Sequence, residues 1–150
     1  MSSRRNFIKD FTGGTAAVCC IPAALLMDAC TPVNRIRATV VNGKIEVDKT
    51  MFVESKYVVI NTDRLKRPVY LNQVNSNSYR AFLMDCTHKK CELRPTGTFM
   101  TCPCHGSEFS NSGQVLNGPA TDPLYEFSVQ VKDIKIEIDL TQIVQHGKEN

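Results

Sequence analysis

Between positions 86 and 105 the chain places four cysteines and two histidines in two short boxes, Cys86-Thr87-His88-Lys89-Lys90-Cys91 and, ten residues later, Cys102-Pro103-Cys104-His105-Gly106-Ser107. Thiolate sulfur and imidazole nitrogen, each available once or twice per box, are the donor set of a metal site. The tetrad suits either zinc or a two-iron cluster. A thiol oxidoreductase is a poorer match, because Cys102 and Cys104 are separated by one residue and the redox motif needs two. The other three cysteines, Cys19, Cys20 and Cys30, stand far upstream, and His146 lies in a polar tail where a solvated side chain is expected.

The boxes sit inside residues 86–124, which hold most of the Cys, His, Pro and Gly and show little regular pattern, as expected of a long loop region with its own constraint. On either side the chain breaks into short runs rich in Val, Ile, Tyr, Phe and Thr, punctuated by Asn, Gly, Pro and Ser, and no segment has a helical period. That is an all-β pattern of sandwich or barrel type. Three hairpins are predicted. Residues 35–41 and 44–47 flank Asn42-Gly43, residues that tolerate the positive φ of a tight turn. Residues 69–74 and 79–84 flank residues 75–78. Residues 125–131 and 134–140 flank Lys132-Asp133, with Ile134, Ile136 and Ile138 alternating with charged residues so that one face is buried. At 150 residues, 42% hydrophobic and 22% charged, the chain can form one domain with a real core. A net charge of +3 is too small and too scattered for nucleic-acid binding.

Cys-Thr-His followed by Cys-Pro-Cys-His-Gly-Ser resembles the signature of Rieske proteins, and the resemblance covers roughly residues 35–140. It implies an antiparallel β sandwich or barrel with a cluster-binding subdomain of two loops, and one [2Fe-2S] cluster per chain. Cys86 and Cys102 would bind one iron, and His88 and His105 the other. Neutral imidazoles add no negative charge, so such a cluster has a higher potential than a four-cysteine one. In the family's high-potential branch the remaining pair, Cys91 and Cys104, forms a disulfide joining the loops, which an oxidising compartment permits. Gly106 is expected to turn its amide toward a sulfur and Ser107 to donate to a bridging sulfide. High-potential members carry a tyrosine two residues after that serine, where this chain has Phe109, so a potential between those of quinol-oxidising members and oxygenase-type ferredoxins is expected. Gly118, Pro119 and Pro123 resemble the proline-rich loop covering the third side of the cluster; a plain connecting turn fits the same residues. Lys89 and Lys90 depart from the Leu-Gly of respiratory members and read either as steering for an acidic partner or as a solvated loop.

Residues 1–30 read as an export address. Ser3-Arg4-Arg5-Asn6-Phe7-Ile8-Lys9 resembles a twin-arginine signal, and residues 11–27 carry no charge. Lipidation at Cys30, retention of residues 11–27 as a short membrane anchor, and ordinary cleavage all remain open. Each places the domain at the periplasmic side of a bacterial cytoplasmic membrane or in the periplasm. Residues 141–150 form a polar tail. The expected function is electron transfer to or from a redox protein partner, a cytochrome or a larger oxidoreductase, and not catalysis by the chain alone. The compatible assemblies are a respiratory cytochrome bc complex, disfavoured by Lys89-Lys90 and the short anchor, a periplasmic molybdenum enzyme of the arsenite oxidase kind, and a free lipid-tethered carrier. A self-contained oxygenase would need a further large domain. A structural zinc module is the alternative of a different class.

Overall fold

The computed structural model describes residues 34–146. The predicted export segment and Cys30 lie outside the described residues. Among the described residues eleven strands form two sheets: β1 (Arg35–Arg37), β2 (Lys44–Asp48), β3 (Tyr57–Asn61), β4 (Val69–Asn75), β5 (Ser78–Leu83), β6 (Arg94–Pro95), β7 (Phe99–Thr101), β8 (Glu108–Ser110), β9 (Val115–Asn117), β10 (Glu126–Lys132) and β11 (Lys135–Asp139). The larger sheet runs β1-β3-β4-β5-β10-β11-β2 and the smaller one β6-β7-β8-β9. Strand β10 turns the corner of the larger sheet. Its first residues, Glu126 and Phe127, pair with β5, whereas Ser128–Lys132 pair with β11. The sheet therefore curls around a core.

Two apolar clusters divide the interior, and the period of two in β3–β5 decides which residue serves which. Val58, Ile60, Val69, Leu71 and Ala81 face the inside of the curl with Ile45, Val47, Phe127, Ile136 and Ile138. Their neighbours Val59, Tyr70 and Phe82 face the opposite way, onto Met84, Leu93, Met100, Phe109, Ala120 and Leu124. Burial on both faces explains why β3 is an unbroken Val-Val-Ile run in place of an apolar-polar alternation. The second cluster is the floor on which the small sheet rests. There the backbone of Gly113 passes so close to the Phe82 ring that a Cβ would lie 2.6 Å from Cε1.

The second predicted hairpin forms as β4 and β5. The third forms as β10 and β11, with its turn one residue later than expected: Asp133 takes the positive φ and Ile134 is exposed in the turn, while Ile136 and Ile138 are buried. The first is corrected. Asn42 and Gly43 make the turn, with φ of 50° and 76°, but β1 pairs in parallel with β3 at the far edge of the sheet from β2. Residues 86–124 also contain more order than expected, since all four strands of the small sheet lie there. These strands are only two or three residues long, too short for periodicity to register. The tail contributes a helix, α1 (Thr141–His146), where none was expected; Asp139 Oδ1 accepts from the Thr141 N–H at 2.8 Å and its hydroxyl at 2.6 Å, which starts the turn. The His146 side chain is outside the described set.

Candidate metal centre

The two boxes fold as the same loop twice. In the first, the Cys86 N–H donates to the Cys91 carbonyl at 2.9 Å and the Lys90 N–H to the Cys86 carbonyl at 2.8 Å. In the second, the Cys102 N–H donates to the Ser107 carbonyl at 2.8 Å and the Gly106 N–H to the Cys102 carbonyl at 3.0 Å. Each loop thus roots its first cysteine in the floor and lifts its histidine toward the surface. Cys86 and Cys102 are buried free thiols. His88 is half-buried and His105 exposed, and their rings meet edge to face with centroids 5.1 Å apart.

Cys91 and Cys104 are joined in a disulfide that spans the loops. The Cys102 sulfur lies within 4.8 Å of both of its sulfurs. A three-sulfur site is ruled out by that bond, because oxidised sulfurs have no thiolate to offer a metal. What is left is two buried thiols and two adjacent imidazoles, one of each from each loop.

The segment containing Gly118, Pro119 and Pro123 is bonded to both loops. The Thr87 hydroxyl donates to the Asp122 carbonyl at 2.8 Å, and the Ala120 N–H donates to the Ser107 hydroxyl at 3.0 Å. Ser107 is fully buried and, among the described residues, donates its own proton to nothing. Phe109 is fully buried in the floor between Met100 and its neighbours, as ordinary packing requires. The amide of Gly106 is committed to the Cys102 carbonyl, not to a sulfur, so that the glycine serves the turn, at φ of 77°. Lys89 and Lys90 are exposed.

Several contributors escape sequence reading. Thr87 belongs to the first box, and only the fold reveals that its hydroxyl ties that box to residue 122. Arg67, from the connection before β4, donates to the Lys90 carbonyl from two nitrogens, at 3.2 and 2.6 Å. Asp85, next to Cys86, lies 3.5 Å from Arg67 and 3.7 Å from the Lys90 ammonium. Tyr70 donates to Asn111 Oδ1 at 2.9 Å, and Asn111 in turn to the Gly97 carbonyl at 3.1 Å, so the large sheet is bonded to the small one. A wide depression of about 850 Å³ at the β1 edge, lined by residues 35–39 and 61–63, brings no thiol or imidazole together.

The Rieske [2Fe-2S] domain family matches residues 42–133, more than half of the chain and the whole of both boxes. The chain belongs to the Rieske [2Fe-2S] family. Among its relatives, the cytochrome b6-f complex iron-sulfur subunit of Chlorobaculum tepidum is 24% identical over 151 residues, covering 91% of this chain and 75% of the relative. The cytochrome b6-f complex iron-sulfur subunit 2 of Trichormus variabilis is 43% identical over 60 residues, 39% of this chain and only 34% of that protein. A solved chain of a hyperthermophilic respiratory complex III shares the fold, with a TM-score of 0.50 at 21% identity over 61% of this chain and 71% of that one. The Rieske domain binds a [2Fe-2S] cluster, and the donor chemistry fits it. Two thiols shielded from water, two imidazoles at the rim and a buried hydroxyl with a proton to give suit an anionic iron-sulfide group.

Proposed function

We propose that this Rieske protein is a one-electron carrier in which Cys86 and Cys102 hold one iron of the cluster and His88 and His105 the other. The observation that supports this assignment is the division of the sulfurs: the disulfide takes Cys91 and Cys104 and leaves one thiol and one imidazole on each loop. When bound, the cluster supplies a one-electron couple at a potential raised by its neutral ligands. The floor residues keep water from the thiols. Ser107, with its oxygen fixed by the Ala120 N–H, has its proton free for a cluster sulfide, which favours the reduced, more negative state. Phe109 has no hydroxyl to give, which supports a potential below that of quinol-oxidising members. The imidazole edge is the exposed side, where a redox protein partner can approach.

The partner reading is a cytochrome or a larger oxidoreductase subunit, in line with the cytochrome b6-f subunits of Chlorobaculum tepidum and Trichormus variabilis. Lys89, which forms no ion pair among the described residues, stands beside His88 and would steer an acidic surface. The twin-arginine-like residues 3–9 support placement at the periplasmic side of the cytoplasmic membrane, tethered by a lipid at Cys30 or by residues 11–27. Among the described residues no helix is long and apolar enough to cross a membrane. Metal and sulfide analysis of protein matured in a bacterial host, with its visible spectrum before and after dithionite, tests the reading. Iron and sulfide in equal amounts with bands that bleach are expected; a colourless zinc protein would overturn it. Co-purification from membranes then identifies the partner.

A further inference from the structure

The two loops share one hydrogen-bonding frame but not one composition. At the fifth position of each, where the N–H turns back onto the first cysteine's carbonyl, the backbone is left-handed: φ is 77° at Gly106 and 56° at Lys90. A glycine takes this conformation freely, whereas a lysine meets a steric clash between its Cβ and the backbone. The first loop therefore carries strain that the second lacks, and something must hold it in shape.

Among the described residues, only the first loop has a side chain clamping its fifth-position carbonyl. The Arg67 guanidinium donates to the carbonyl of Lys90 through Nε at 3.2 Å and Nη2 at 2.6 Å. Its Nε is also 3.5 Å from Asp85 Oδ1, a buried oxygen with no hydrogen bond of its own among the described residues. The Lys90 ammonium stands 3.7 Å from the other Asp85 oxygen. Asp85 precedes Cys86, and its backbone pairs with that of Glu92, just beyond Cys91, in an antiparallel β-bridge, so the group closes around both ends of the loop. No side chain among the described residues donates to the Gly106 carbonyl.

We infer that Arg67 is a positioning residue for the first cluster loop: its guanidinium pins the Lys90 carbonyl and so holds a non-glycine residue in the left-handed turn that orients His88. The use of that turn for cluster binding rests on the ligand assignment above; the clamp itself does not. A planar fork with several donors can serve a carbonyl and a carboxylate at once, which a lysine ammonium does less well.

The test is amide hydrogen exchange on the full chain, read separately over residues 86–91 and 102–107, together with the rate of cluster loss to an iron chelator. In Arg67→Ala, exchange in residues 86–91 should rise by about ten-fold, the scale of one unfavourable left-handed residue, with residues 102–107 unchanged. Adding Lys90→Gly removes the strain and should return exchange and cluster loss to within about two-fold of the starting protein. Arg67→Lys keeps a cation beside Asp85 and guards against an alanine variant that fails to fold; it should also open the first loop. Equal exchange in Arg67→Lys and the parent, or no recovery on adding Lys90→Gly, overturns the inference. A parent protein without iron would instead fail the ligand assignment and leave the exchange comparison intact.

Discussion

The curled seven-stranded sheet and the small sheet under the cluster loops are built on different principles. In the large sheet, strands β3–β5 run five to seven residues and bury an apolar face on each side. In the small sheet no strand exceeds three residues, and its buried Met100 and Phe109 join a cluster to which the large sheet contributes Val59, Tyr70 and Phe82. One region is held by repetition and the other by cross-links: the disulfide, the Ser107–Ala120 and Thr87–Asp122 bonds, and Tyr70–Asn111. A cluster site can thus have loops shaped for its donors, because it does not depend on those loops for the stability of the whole.

The sharpest way to separate the regions is Cys102→Ala, for which complete loss of iron and of visible absorbance is expected while amide exchange over β3–β5 remains slow. Unfolding of the whole chain on this change would show that the large sheet does not stand by itself. The reverse experiment is Ile138→Ala in the curled core, expected to lower stability in urea by about 3 kcal/mol while leaving the cluster spectrum of the folded protein unaltered. Replacing both Cys91 and Cys104 by serine releases a cross-link with a sequence separation of 13, and about 3 kcal/mol is expected from loop closure, read as faster iron loss.

A smaller effect is expected at the joint between the sheets. Burial pushes the Tyr70 phenol upward from its ordinary value of 10.0, so the folded chain keeps that proton to higher pH than the unfolded one. Its contribution is complete below about pH 10 and declines as pH rises further. Tyr70→Phe should cost about 1 kcal/mol for the lost bond to Asn111 and make the alkaline decline shallower; an unchanged slope would remove Tyr70 as its cause. Least disturbing to the fold is Phe109→Tyr, expected to raise the potential in film voltammetry. No rise would mean that the missing hydroxyl does not set the potential.

How much was legible beforehand differs between the same two regions. The alternation of Ile136 and Ile138 with charged residues predicts the β10–β11 hairpin, because the period of two records a buried face directly, and the apolar runs on either side of residues 75–78 predict β4–β5 from the turn between them. The partner of β1 is β3 and not the strand after the turn, because Asn42-Gly43 specifies a turn but not how far the strands beyond it stay paired. Strands of two or three residues left no period at all.

By itself the sequence determined the donor set, since residue types and their spacing in two boxes are local properties that no packing can alter, and that donor set suits both zinc and a two-iron cluster. It also implied the sulfur pairing through family resemblance. The tertiary structure alone decided that the two boxes are one loop built twice, that the segment around Pro119 is tied to both, and that Arg67, distant in sequence, clamps Lys90. The reason is physical: hydrogen bonds and ion pairs between remote segments depend on how sheets curl and stack, and a linear pattern carries no record of which segments that curl brings together.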